Sequence, residues 1–166
     1  RDVSGLGSRY SMRSPVFGPD GPTRLLDAYR AFLVGQLTLP TLDEAAVDTL
    51  ASGASRTMPW MLAEGGVDVA EVMERLFDEV EAASPRKAEA RYLRSRYYLV
   101  QCGIVTDVPK PSMCLKARTA LAALAGEGEG RYARLAHAEL AAELFLEREY
   151  AQARTQYLSY VDRYPR

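Results

Sequence analysis

The sequence has few of the residues that enzymes most often use for catalysis or metal binding. Its 166 residues include one histidine, two cysteines and one tryptophan. A Ser-His-Asp triad, a Cys-His pair or a histidine-rich metal site would have to be built on His137 alone. We therefore expect no catalytic residue, no cofactor and no metal site, and we interpret His137 as a packing residue of a helix.

A strong charge of either sign is also missing, as is any long apolar run. The formal net charge is -1, which gives no general attraction to nucleic acid or to an anionic membrane. No apolar stretch approaches the roughly 20 residues that a membrane-spanning helix requires. The composition is that of an ordinary globular domain, with 48% hydrophobic and 26% charged residues. We expect a protein or peptide partner rather than nucleic acid or a membrane span.

The first 22 residues differ in composition from the rest of the chain. They contain glycine at positions 5, 7, 18 and 21 and proline at positions 15, 19 and 22. This density of helix breakers predicts an extended or disordered lead-in over residues 1–22, followed by a helical domain over residues 23–166. Tyr10 and Phe17 would allow the lead-in to dock on its own or a neighbouring domain, so oligomerisation through this segment is a hypothesis.

Apolar residues at three- and four-residue spacings predict helices along the rest of the chain, and no segment has the alternation of a strand. The predicted helices cover residues 23–39, 43–51, 68–83, 84–102, 112–125, 131–146 and 150–164, with a further apolar segment around Trp60. Ser52 and Gly53 are expected to end the second helix, and Gly65 and Gly66 the apolar segment.

Two consecutive helices carry opposite charges. Glu71, Glu74, Asp78 and Glu81 line one face of the helix over 68–83, whereas Lys87, Arg91 and Arg94 lie on the next helix. The favoured interpretation is an antiparallel pair with complementary edges, in which each exposed ion pair contributes about 0 to 1 kcal/mol. The alternative is a basic patch that binds a partner.

Two other acidic or glycine-rich patterns are interpreted as structural. The segment from Gly126 to Gly130 lacks the Lys-Ser/Thr of a phosphate-binding loop and is predicted to be a turn between helices. Glu139 and Glu143 lie four residues apart on one predicted helix and could flank a scissile bond. Because exposed glutamates at this spacing are usually solvated, we expect a solvated pair without a catalytic role.

The two cysteines bracket the connector between two predicted helices. Cys102 ends one helix and Cys114 lies near the start of the next, so an antiparallel arrangement would bring them together. A disulfide across a loop of this length would contribute up to about 3 kcal/mol and would place the protein in an oxidising compartment. Two reduced, buried thiols in a cytosolic protein are the alternative.

The most regular spacing lies in residues 131–165. Apolar or small residues recur at His137, Leu140, Ala141 and Leu144, and then at Tyr150, Ala153, Tyr157, Tyr160 and Pro165. This segment resembles one tetratricopeptide repeat. Ala153, Tyr157 and Pro165 match the repeat directly, whereas His137, Ala141 and Leu144 stand where that family favours Trp, Gly and Tyr. The ending of the segment in Tyr-Pro is also similar to repeats of bacterial cell-envelope lipoproteins.

The resemblance implies an all-α fold of stacked antiparallel helix hairpins, a short solenoid whose role is to bind a peptide or a protein subunit. It also implies a scaffold within a bacterial envelope or multiprotein assembly, with the periplasm slightly favoured over the cytoplasm. Arg91, Arg94, Tyr98, Arg131 and Tyr132 are the predicted partner-binding residues, suited to an extended peptide that carries carboxylates.

A different class of function stays open from the sequence. The chain begins at Arg1 and ends at Arg166, directly after Pro165, and we interpret both as the ends of a piece of a longer protein. In that case the domain would be the non-catalytic helical part of a larger enzyme, such as an envelope hydrolase.

Overall fold

The computed structural model describes residues 20–64, 68–104 and 111–165, and within these ranges all regular structure is helical. The predicted all-α class is therefore confirmed. The α-helices of the described residues are α1 (Gly21–Thr38), α2 (Glu44–Ser52), α3 (Met58–Glu64), α4 (Val69–Ala83), α5 (Lys87–Leu99), α6 (Pro111–Gly126), α7 (Arg131–Leu146) and α8 (Tyr150–Arg163). None of them is both long and apolar enough to cross a membrane.

Aspartates begin two of the helices, as their positions in the sequence predict. The backbone N–H of Ala46 donates to the Asp43 carboxylate at 2.8 Å. At the start of α4 the Asp68 carboxylate accepts from the backbone N–H groups of Ala70 and Glu71. Each bond satisfies a donor that the first helical turn leaves without an intrahelical partner.

The predicted end of α2 at Ser52 and Gly53 is wrong. The helix continues through a π-helical turn, Gly53–Thr57, directly into α3. Pro59 has no backbone N–H and cannot bond to the carbonyl of Ser55 four residues earlier. That carbonyl instead accepts a 3.4 Å hydrogen bond from the side-chain amide of Gln101. A wider turn in front of the proline thus keeps a single helical path where the sequence predicted a break.

A second π-helical turn, Val100–Ile104, extends α5. Gly103 within it has a φ of 106°, a left-handed conformation that a residue without a Cβ adopts at little cost. The connector predicted after it falls mainly on residues 105–110, which lie outside the described residues, as do Gly65 and Gly66.

The helices pack around one continuous apolar core. α1 packs on α4, α2 and α4 pack on α5, and α5, α6, α7 and α8 each pack against the next, while α5 also contacts α7. The fully buried side chains of the core include Leu33, Leu37, Leu62, Met73, Val80, Leu93, Tyr97, Leu121 and Leu124. Every α-helix of the described residues contributes side chains to this core.

The boundaries of the first and last helices depart slightly from the predictions. α1 begins at Gly21, so the last two residues of the predicted lead-in belong to the helix, and residues 1–19 of that segment lie outside the described residues. Phe32 on α1 is 49% exposed. At the other end, the Arg163 guanidinium donates to the carbonyls of Ala125 and Gly128 and ties α8 to the turn between α6 and α7.

Candidate functional site

The predicted partner-binding residues on α5 are engaged in contacts with α4. Arg94 forms ion pairs with Asp78, Glu74 and Glu81 on α4. The Tyr98 hydroxyl donates to the Glu74 carboxylate at 2.6 Å, and the Tyr98 side chain is buried. These contacts confirm that the acidic and basic helices form a pair with complementary edges.

The Glu74 carboxylate accepts hydrogen bonds from Tyr98 on α5 and from Lys116 on α6. Burial acts to raise the pKa of Glu74, but hydrogen bonds from Lys116 and Tyr98 and the charges of Lys116 and Arg94 outweigh it. The pKa is lowered, so the group stays ionised in its cluster of donors.

The remaining predicted partner-binding residues also contact other parts of the same chain. Arg91 pairs with Glu81 at 2.7 Å and with Glu127. Arg131 pairs with Glu44 on α2 and lies over the ring of Tyr132, and Tyr132 packs against Tyr92 with ring centroids 5.1 Å apart. A carboxylate-bearing partner would have to displace these internal pairs. A role of the five residues in partner binding stays a prediction.

Glu139 and Glu143 are not the solvated pair that their spacing suggested. Glu143 is fully buried, and both of its carboxylate oxygens accept from Arg118 Nε at 3.0 Å. Glu139 is partly buried and accepts a 2.7 Å hydrogen bond from Arg96 on α5. The expectation of exposed, solvated glutamates is wrong because each has an arginine partner on a neighbouring helix.

Burial perturbs the ionisation of both glutamates. It raises the pKa of Glu143, with Arg118 acting in the opposite direction. It also raises the pKa of Glu139, where the charge and hydrogen bond of Arg96 oppose the effect. Raised carboxyl pKa values next to a pocket mark a candidate functional site. Since each carboxylate is held by its own arginine, the two groups are arranged as separate ion pairs rather than as a pair that shares a proton.

A pocket of about 140 Å³ opens between α5 and α7 beside these glutamates. Its walls are Arg96, Leu99, Val100, Glu139, Ala142, Glu143 and Leu146. The lining combines leucine, valine and alanine side chains with Glu143 and the Arg96–Glu139 ion pair. An apolar cavity of about 150 Å³ is large enough for a benzene ring, so this pocket has room for one apolar side chain.

Arg118 joins this site to the segment that carries the cysteines. Besides Glu143, it pairs with Glu147 at the end of α7. Arg96 and Arg118 are not among the residues predicted from the sequence, and they lie 43 and 25 residues from the glutamates they bind. No local pattern in the sequence marks either arginine, because both glutamates have the spacing of a solvated pair on one helix.

Cys102 and Cys114 lie close together near Glu147. Their Cα atoms are 4.5 Å apart and their sulfur atoms are at bonding distance, which joins the end of the α5 path to the start of α6. The Glu147 carboxylate is 3.9 Å from the Cys102 sulfur. The oxidised state in the native protein stays a prediction.

His137 is buried and lies among aromatic side chains. Its ring makes edge-on contacts with Tyr160 and Tyr164 of α8, with centroids 5.8 and 6.1 Å away. Within the described residues neither ring nitrogen has a hydrogen-bond partner. This environment agrees with the predicted packing role on the face of α7 that meets α8.

Compared with known protein families, with curated proteins and with solved structures, the chain shows no significant match to any of them. Its function therefore has to be inferred from its own residues and their arrangement.

Proposed function

We propose that this protein is an interaction module that binds a peptide segment of a partner protein and has no chemistry of its own. The observation that carries the proposal is the pocket between α5 and α7, whose lining combines apolar side chains with charged ones. Peptide-binding surfaces commonly combine an apolar recess for one anchoring side chain with polar groups that fix the backbone around it.

The size of the pocket favours a side chain over a whole small molecule. At about 140 Å³ it is smaller than the roughly 300 to 1,000 Å³ typical of sites for drug-sized ligands. Leu99 and Val100 are buried at its base, whereas Leu146 is 60% exposed at its edge. An aliphatic or aromatic side chain inserted there would bury apolar surface on both sides.

Arg96 would bind the polar part of the peptide. One of its terminal nitrogens donates to Glu139, and its side chain is 36% exposed at the rim. A guanidinium has five N–H donors, so Arg96 can keep its bond to Glu139 and still donate to a peptide carbonyl. Glu139 would hold the arginine in place for this contact.

The order of helix contacts supports a tetratricopeptide-like arrangement. α5 and α6 pack as one hairpin, α7 and α8 as the next, and α6 packs on α7 between them. The first helices of the two hairpins, α5 and α7, also contact each other, and α2 packs on α5 as well. We infer that α2, α5 and α7 form the inner surface of a short solenoid, with the pocket on it. The Cys102–Cys114 pair favours the periplasm or another oxidising part of the cell envelope.

The test is selection from a random peptide display library against the protein, followed by measurement of the affinity of the enriched peptides. Ala142→Trp would fill the pocket, and Ala122→Trp on the exposed surface of α6 is the matched control. We expect enriched peptides to share one apolar anchor residue, and to lose at least about tenfold in affinity for Ala142→Trp alone. Peptides that bind Ala142→Trp as tightly as the unaltered protein would contradict the proposed site.

A further inference from the structure

The end of the α5 path, the start of α6 and the end of α7 meet at one point, and each brings a side chain that can bind a metal ion. Cys102 lies in the π-helical turn after α5, Cys114 in the first turn of α6, and Glu147 directly after α7. The two sulfur atoms and one carboxylate oxygen of Glu147 all lie within 4.8 Å of one another. We refer to these three residues as the donor cluster.

The two oxygens of the Glu147 carboxylate have different neighbours. Oε1 lies 3.9 Å from the sulfur of Cys102, whereas Oε2 pairs with the guanidinium of Arg118. The backbone N–H of Glu147 donates to the carbonyl of Glu143 at 3.0 Å, so the residue is held at the end of α7. Carboxylates that bind a metal are commonly oriented by such an outer partner on the oxygen that does not face the ion. Arg118 occupies the place of this partner.

Burial and charge at the donor cluster suit a divalent cation. Cys102 and Cys114 are buried, whereas the Glu147 side chain is 32% exposed, so an ion has an entry path on the side of the carboxylate. Two thiolates and one carboxylate carry three negative charges. A divalent cation would neutralise two of them, and Arg118 lies beside the carboxylate.

We propose that the donor cluster, with its cysteines in the thiol form, binds a zinc ion through both sulfur atoms and Glu147 Oε1, with water as the fourth ligand. A tetrahedral Zn²⁺ has sulfur ligands at about 2.3 Å and carboxylate oxygens at about 2.0 to 2.2 Å, which places sulfur and oxygen about 3.5 Å apart and two sulfurs about 3.8 Å apart. The 3.9 Å between Cys102 and Glu147 is close to the first value. The Cα atoms of the cysteines are 4.5 Å apart, so rotation of the side chains allows the second.

The site depends on the redox state of the two cysteines, because the thiolate is the form that binds a metal. A dithiol reductant opens the Cys102–Cys114 bond by thiol–disulfide exchange. The reductant is oxidised to its own disulfide, and the two cysteines are left as thiols. Each thiol then releases its proton as it binds the ion, so that one Zn²⁺ replaces two protons. The reduced protein therefore has the zinc site and the oxidised protein does not.

The kinds of ligand atom favour zinc over other metals. Magnesium and calcium prefer oxygen ligands only, and copper(I) prefers sulfur ligands, whereas zinc accepts thiolate and carboxylate together. An iron–sulfur cluster typically requires four cysteines, and the chain has two. Two sulfur ligands and one oxygen ligand therefore match zinc best.

The zinc site goes beyond the proposed peptide site. None of the three residues of the donor cluster lines the pocket between α5 and α7, so failure of either proposal leaves the other intact. The proposal also differs from the expectation of no metal site, which the scarcity of histidine suggested. Glu147 is 45 residues from Cys102 in the sequence, and only the packing of α7 brings it to the cysteines.

The experiment is titration of the full chain with Co²⁺, a spectroscopic substitute for Zn²⁺, after reduction by TCEP and removal of the reductant in the absence of oxygen. Thiolate ligands give Co²⁺ a charge-transfer absorption that oxygen ligands do not give. We expect this absorption to saturate at one Co²⁺ per chain. Addition of Zn²⁺ should abolish it, because Zn²⁺ binds such a site more tightly than Co²⁺. The protein that has not been reduced should not show the absorption.

Substitutions identify the ligands. The double variant Cys102→Ser/Cys114→Ser should show no charge-transfer absorption, because it has no thiolate. Glu147→Gln should weaken Co²⁺ binding at least about tenfold, since loss of even an outer partner of a ligand costs about 10- to 100-fold in affinity. Glu149→Gln is the matched control, the same change two residues further on and outside the donor cluster, and it should bind Co²⁺ normally.

Thermal unfolding gives a second measurement. Zn²⁺ should raise the unfolding midpoint of the reduced protein and leave that of the oxidised protein unchanged, because a ligand stabilises only the form that binds it. Absence of the absorption in the reduced protein, saturation at one Co²⁺ per two chains, unchanged affinity in Glu147→Gln, or an equal effect of Zn²⁺ on both redox forms would each overturn the proposal. Circular dichroism compares the helix content of each variant with that of the unaltered protein.

Discussion

Replacement of Arg118 by methionine is expected to destabilise the protein strongly at neutral pH and much less in mild acid. Arg118 holds the carboxylate of Glu143, whose side chain is fully buried, while the Arg118 side chain itself is 29% exposed. Methionine keeps most of the length of the side chain and removes its charge. The variant therefore leaves a buried carboxylate without its partner.

The magnitude follows from the burial of Glu143. Removal of one member of a buried ion pair typically costs about 3 to 5 kcal/mol, because the other charge stays buried without compensation. Since Arg118 reaches solvent and Glu143 can take up a proton, we expect the lower end, about 3 kcal/mol at neutral pH. That is a large share of the roughly 5 to 15 kcal/mol that stabilises a domain of ordinary size.

The pH dependence has a definite sign. Burial raises the pKa of Glu143 in the folded protein above its unfolded value of about 4.3. The folded state therefore binds the proton more tightly, and stability falls as the pH rises from the unfolded to the folded pKa. Arg118 opposes this rise, so its loss should move the folded pKa higher and extend the falling range toward neutral pH.

The assay is urea unfolding of the unaltered protein and of Arg118→Met at a mildly acidic and at a neutral pH. Arg75→Met, at an exposed arginine of α4 without an ion pair in the described residues, is the control. The double variant Arg118→Met/Glu143→Met should recover most of the stability. A cost below about 1 kcal/mol, or the same cost at both pH values, would refute the buried pair.

Two further predictions concern local stabilisation. If Cys102 and Cys114 are oxidised in the native protein, reduction by TCEP should lower the free energy of unfolding by up to about 3 kcal/mol. TCEP should not change the stability of the control variant Cys102→Ala/Cys114→Ala. Alkylation of both thiols before reduction would contradict the bond. Asp68→Ala should lower the stability measured by thermal unfolding by about 1 kcal/mol, because Asp68 accepts two backbone hydrogen bonds at the start of α4. Asp20→Ala is the control and should cost little, because the Asp20 side chain makes no capping bond at the start of α1. Equal losses in the two variants would show that the hydrogen bonds of Asp68 are not the cause.

Local patterns in the sequence predicted the last helices best. α7 was predicted with the bounds that the structure shows, and α8 ends one residue earlier than predicted. Glycine before α7 and proline after α8 set these limits, and such signals act over a few residues. The helix predicted over residues 68–83 also begins at a local signal, the capping residue Asp68.

Features that depend on a distant partner were predicted poorly. Nothing local distinguishes Glu143 from a solvated glutamate, since its burial depends on Arg118 of another helix. The same holds for the Arg96–Glu139 pair at the pocket. It also holds for Gly53, since glycine is typical of a helix end and the hydrogen bond from Gln101 to the Ser55 carbonyl comes from a distant residue. The charges of α4 and α5 were an exception, because two whole helix faces of opposite sign lie next to each other in the sequence.

The π-helical turn between α2 and α3 also affects how the chain can be aligned. Residues 44–64 follow one helical path, in which the wide turn takes up about one residue more than a regular helix of the same length. The turn thus has the character of a one-residue insertion placed inside a helix rather than in a loop. An ungapped sequence alignment of this region with a regular helix hairpin therefore loses its register at Gly53. Deletion of one residue from the turn would rotate Met58 and Leu62, both buried, by about 100° away from the core.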